Sequence, residues 1–105
     1  MHALLERFRP DLARGMAYLN TGRYAEAIAA LRQATEAAPR FGIPWMFLAA
    51  AYASDGRMDE ARAAIRRLHD VEPNFRLKNL DDVMLGPRDE AETIKAALRM
   101  AGLPE

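Results

Sequence analysis

A 34-residue segment occurs twice in succession in this chain. Laying residues 8–41 over residues 42–75 pairs Pro10 with Pro44, Ala17 with Ala51, Tyr18 with Tyr52, Gly22 with Gly56, Arg23 with Arg57 and Glu26 with Glu60. The same register pairs Ala27 with Ala61, Ala29 with Ala63, Ala30 with Ala64, Arg32 with Arg66, Pro39 with Pro73 and Phe41 with Phe75. Twelve identities in 34 positions stand against the roughly two or three expected of unrelated sequence with ordinary composition. Both copies must therefore build the same small unit, and a unit of this length buries its apolar face only by stacking on a neighbour.

The paired residues are those that two antiparallel helices need. Pro10 and Pro44 suit a first helical turn, where a missing N–H costs nothing. Gly22 and Gly56 follow twelve residues later, where a helix ends and the backbone takes a positive φ to turn back. Tyr24 and Met58 then open second helices, along which positions 27, 31, 34 and 61, 65, 68 are apolar at i, i+4, i+7 spacing. Ala27 and Ala61 are small enough for the partner helix to approach closely, and Pro39 and Pro73 end the pair. Helices are expected near 10–21, 24–38, 44–55 and 58–71. Composition agrees: 21 alanines, thirteen arginines against two lysines and few β-branched residues give helix propensity along most of the chain. The class is all-α, an antiparallel helix-pair solenoid.

These residues resemble the tetratricopeptide repeat family. Trp45, Leu48, Ala49, Tyr52, Ala61, Ile65 and Pro73 meet its pattern in the second copy, and Gly15, Tyr18, Ala27, Leu31 and Pro39 meet it in the first. Asp11 and Arg14 depart from the preferred Trp and Leu, as an N-terminal edge facing water would. The resemblance implies a binding scaffold whose partner lies on a concave face lined by the first helix of each repeat. Here that face would present Leu12, Met16, Leu19 and Asn20, then Ile43, Met46, Phe47, Ala50 and Ser54. It is mostly apolar and lacks, in matching places, the Lys, Arg and Asn with which members of the family clamp acidic chaperone tails. An apolar peptide or amphipathic helix suits such a Met-containing groove better. The competing expectation is internal packing, with Phe47 above all covered by a helix over Leu77 to Met84.

After Phe75 the repeat pattern fails. Leu77, Leu80 and Met84 line one face of a helix that stops at Gly86-Pro87, and Asp89 with Glu92 has capping-box spacing. A last helix then carries Ile94, Leu98 and Ala101 and closes at Gly102. This divergent pair stands in place of a third repeat as a cap, and Ile94 and Leu98 are expected to cover Leu68, Phe75, Leu77 and Leu80. The reading is one domain over 1–105, with repeats at 8–41 and 42–75 and closing helices at 76–105. The stretch Leu98-Arg99-Met100-Ala101-Gly102-Leu103-Pro104-Glu105 resembles the end of bacterial adenylate and guanylate cyclase-family proteins that carry such arrays. That implies a regulatory C-terminal module or a free-standing relative, and it carries no catalytic site across.

At 105 residues, with fifteen basic and fifteen acidic side chains, the chain has room for one core and no net field to attract nucleic acid or an anionic membrane. No apolar run approaches the roughly 18 residues of a membrane helix, and Glu6, Arg7 and Arg9 do not make a secretory leader. A cytoplasmic protein is expected. Zero cysteines remove disulfides and thiolate sites. His2 and His69 are read as surface residues, Asp81-Asp82 and Asp89-Glu90 as solvated or helix-start acids, and Arg62, Arg66 and Arg67 as an exposed stripe. Neither a metal nor a cofactor is implied, and an enzyme is disfavoured. The alternative to a heterologous binder is a homodimer formed through the same apolar face or through Leu4, Leu5 and Phe8.

Overall fold

The computed structural model describes residues 2–80 and 88–105, with side chains described from Pro10 to Leu80 and from Asp89 onward. Five α-helices account for the fold among these residues: α1 His2–Asn20, α2 Tyr24–Ala37, α3 Gly42–Ser54, α4 Met58–Val71 and α5 Arg88–Met100, with a 3-10 turn at Leu77–Asn79. Helices α1 and α2 form one antiparallel pair, α3 and α4 the next, and α2 packs on α3 to join them. The fold is the all-α helical repeat expected.

Each pair turns on a glycine. Gly22 and Gly56 have φ of 76° and 79°, and the N–H groups of Arg23 and Arg57 reach back to the carbonyls of Tyr18 and Tyr52 at 2.9 and 2.8 Å. These bonds strengthen the pairing of helix-end carbonyls that otherwise accept longer bonds from the N–H groups of Thr21 and Asp55 at 3.2 Å. Close packing rests on small residues. Ala27 and Ala61 are fully buried, and a Cβ built on Gly15 would overlap the buried side chain of Leu31 across the α1–α2 contact.

Some boundaries differ from expectation. Helix α1 begins at His2, so Pro10 lies inside it; Pro10 is exposed, and its missing N–H removes one helical hydrogen bond. Helix α3 starts two residues before Pro44, which still falls in the first turn. Asp89 is not an N-cap, because α5 starts at Arg88; it lies in the first turn, where the helix dipole favours an acid. Of the helix expected over Leu77 to Met84, residues 77–79 form the 3-10 turn. Asp81, Asp82, Met84, Gly86 and Pro87 lie outside the described residues, as do the side chains of His2, Leu4, Leu5 and Phe8.

Helix α3 is the centre of the molecule. From Ile43 to Ala53 it carries no charged or hydrogen-bonding side chain except Trp45 and Tyr52, and Gly42, Pro44 and every residue from Met46 to Ala53 are buried. A helix without a polar face needs cover all round. α2 and α4 provide it on one side, α1 touches an edge, and α5 lies on what remains.

Candidate functional site

The inner surface of the repeats is built by α1 and α3. Along α1, Leu12 and Met16 are half-buried, Leu19 is buried and Asn20 is exposed; along α3, Met46, Phe47 and Ala50 are buried, whereas Ile43 and Ser54 at its two ends are partly open. Leu19, Met46, Phe47 and Ala50 belong to one apolar cluster, and Leu12, Met16 and Ile43 pack against it. The cluster also contains Ile94, Ala97, Leu98, Ala101 and Leu103 of α5 and its tail. Helix α5 thus shares the cluster of Met46 and Phe47 with Leu77 and Leu80, the described part of the stretch expected to cover Phe47. Leu68, Leu77 and Leu80, which Ile94 and Leu98 were expected to cover, lie in the same cluster with Phe75 packed against it, and α5 packs on α3 and, over a smaller contact, on the 3-10 turn.

The direction of α5 follows from its ends. Its first turns meet the far end of α3, where Glu90, Thr93 and Ile94 share a crevice of about 320 Å³ with Leu19, Asn20 and Ser54. Its tail meets the residues after α4, where the N–H groups of Leu77 and Lys78 donate to the carbonyls of Pro104 and Glu105 at 2.8 and 3.3 Å. Helix α5 therefore runs antiparallel to α3. Gly102, with φ of 99°, lets the tail turn, and Arg99 holds Glu105 through hydrogen bonds of 2.7 and 3.3 Å.

On the outer side the two copies repeat one polar device. Arg23 stacks 5.1 Å from the Tyr18 ring centroid and donates to Glu26 at 2.7 and 2.5 Å. Arg57 stacks 5.0 Å from that of Tyr52 and donates to Glu60 at 2.8 and 2.6 Å. The hydrogen bonds from Arg57 hold the Glu60 carboxyl below its ordinary range and raise the arginine in turn. Sequence reasoning paired these residues without giving them a role; their identity at the same offset was the signal. Trp45, read from the sequence for the repeat pattern alone, also makes polar contacts, its indole N–H donating to the Pro39 carbonyl at 3.0 Å while Arg67 lies 5.3 Å over its ring. His69 is half-buried rather than on the surface, its Nε2 lying 3.0 Å from the Phe75 carbonyl oxygen.

Chemically this is a surface for contact. Thr35 is the buried polar side chain among the described residues, and it donates to the Arg32 carbonyl. Among those residues no three His, Cys, Asp or Glu side chains group to hold a metal ion. No described helix is long and apolar enough to cross a membrane.

A family model described as tetratricopeptide repeat matches residues 12–70, more than half of the 105-residue chain. The chain belongs to the tetratricopeptide repeat family, whose repeats commonly mediate protein–protein interaction. Comparison with curated proteins and with solved structures gives no match.

Proposed function

We propose that the chain is a non-catalytic interaction scaffold of the cytoplasm, acting as one unit over residues 1–105 and holding a peptide or helix of a partner protein against the inner face of its repeats. The observation that carries this reading is the apolar character of that face together with a helix, α5, seated on it. A face that packs one amphipathic helix has the shape and chemistry to pack another. Leu12, Met16 and Asn20 of α1 form its accessible edge, with Asn20 beside the start of α5, while Met46, Phe47 and Ala50 form its floor. The link to cyclase-family proteins rests on the tail residues alone, and the reading frame upstream of Met1 tests it.

The experiment places a photo-reactive residue at Met16 and identifies by mass spectrometry what it captures in cells. Met16→Glu, checked to keep wild-type helicity, is expected to abolish that capture. Capture unchanged by Met16→Glu overturns the inner-face reading, and capture only of a second copy of the chain, with a dimer in sedimentation, favours self-association.

A further inference from the structure

The way α5 sits on α3 narrows the partner further. Among the four repeat helices, α5 packs chiefly on α3, whereas α1 to α4 hold one another through the α1–α2, α2–α3 and α3–α4 contacts. Undocking α5 with its tail therefore bares a strip of α3 and the Leu77–Asn79 turn and leaves the two pairs joined. The seam is apolar: Ile94 and Leu98 are the large residues, with Ala91, Ala97 and Ala101 buried beside them. The side-chain hydrogen bonds of Thr93 and Arg99 are made within α5 and its tail, to the Asp89 carbonyl and to Glu105. The exposed face of α5 carries Glu92, Ala96, Arg99 and Met100, with half-buried Lys95 at its flank, the pattern of an amphipathic helix. At the first turn of α5 the crevice beside Asn20 and Ser54 leaves the seam open at one end.

From this we infer that α5 is a resident ligand of the α3 inner face, and that the external partner is an amphipathic helix that replaces it. The inference rests on the inner-face reading above and specifies its occupant. Because α3 has no polar side, the site does not stand empty, and partner binding is an exchange of one helix for another. Ala50, small and on the inner face of α3, allows close helix approach, so the partner helix carries two large aliphatics four residues apart, as at Ile94 and Leu98, with alanine-sized neighbours. A helix in the same chain as its site meets it at an effective concentration of about 1 mM. A free helix at about 10 µM must then bind about a hundredfold more tightly than α5 to take half the sites. Belonging to the same chain thus sets a threshold that admits only a close match.

The probe is a fluorescein-labelled peptide of residues 88–105, titrated into the full-length protein and into the full-length double variant Ile94→Ser with Leu98→Ser. The variant is expected to bind the peptide at least tenfold more tightly than wild type and to gain thermal stability from it, while a peptide carrying the same two serines does not bind. A variant that keeps α3 protected from hydrogen exchange yet does not bind the peptide overturns the inference. Should the variant not fold, exchange in the wild-type chain decides. Amides of Ala97 and Leu98 exchanging at least tenfold faster than those of Leu48 to Tyr52 show α5 opening while the repeats stay folded; equal rates show that α5 leaves only on global unfolding and overturn the inference. Neither readout needs an outside partner, so its failure is separable from failure of the Met16 capture.

Discussion

Arg57 bridges Tyr52 and Glu60, lying over the ring of one and holding the carboxylate of the other, and Arg23 makes the same bridge between Tyr18 and Glu26. The bridge crosses the glycine turn, tying the end of the first helix of each repeat to the start of the second. Its effect on stability is tied to pH through Glu60, whose folded carboxyl is held below the ordinary value, mainly by the hydrogen bonds from Arg57. A depressed carboxyl stabilises the fold above the unfolded value, about 4.3, and the stabilisation is lost as pH falls through the folded one. Glu60→Gln should lower the melting midpoint slightly at pH 7, and the difference from wild type should vanish in strong acid. A difference constant with pH would assign the effect to packing. The site is open to solvent, so salt should shrink the difference as well.

Gly15 and Leu31 set the spacing of α1 and α2. Gly15→Ala gains helix propensity of about 1 kcal/mol but drives a methyl into Leu31, and overpacking of a tight core contact costs about 1–3 kcal/mol. A net loss of stability in urea unfolding is expected. Adding Leu31→Val should rescue part of it, giving a non-additive double-mutant cycle.

Gly22 and Gly56 differ from Gly15 in that a Cβ at either meets nothing within 4 Å. Their requirement is conformational alone. Gly22→Ala and Gly56→Ala should each cost about 1–2 kcal/mol, by similar amounts because the two turns are copies. Asn at either site should cost less than Ala. Unequal costs would mean that the turns do not contribute alike to folding.

Met16 and Met46 lie on the same inner face and should respond in opposite ways to a charge. Met46 is fully buried, so Met46→Glu places a carboxylate in the core and should unfold the chain or cut its melting midpoint sharply. Met16 is half-buried at the edge, and Met16→Glu should leave helicity near wild type by circular dichroism. Ala61→Leu is a further core test, at about 1–3 kcal/mol of overpacking.

Much of the fold was readable from spacing. Helix α4 matches its expected span, and Gly22, Gly56 and Gly102 all take the positive φ their positions required. Pro10 misled about the start of α1, because proline is compatible with a first turn but does not compel one. The inner face was harder to read. Ile94 and Leu98 show that α5 has an apolar side, yet nothing in their spacing says which helix receives it. The clue lay in α3 itself, whose run from Ile43 to Ala53 lacks any charged residue and so could not leave a whole side to water.

Order of synthesis gives that feature a cost. The ribosome delivers α3 well before α5, so every nascent chain passes through a stage in which Met46 and Phe47 have no cover from the C-terminal side. A chain clipped or stalled between the two helices would stay in that stage, presenting a sticky strip to chaperones and proteases. The segment that fills the inner face leaves the ribosome after the helix it covers, and its docking ends the exposure of that strip.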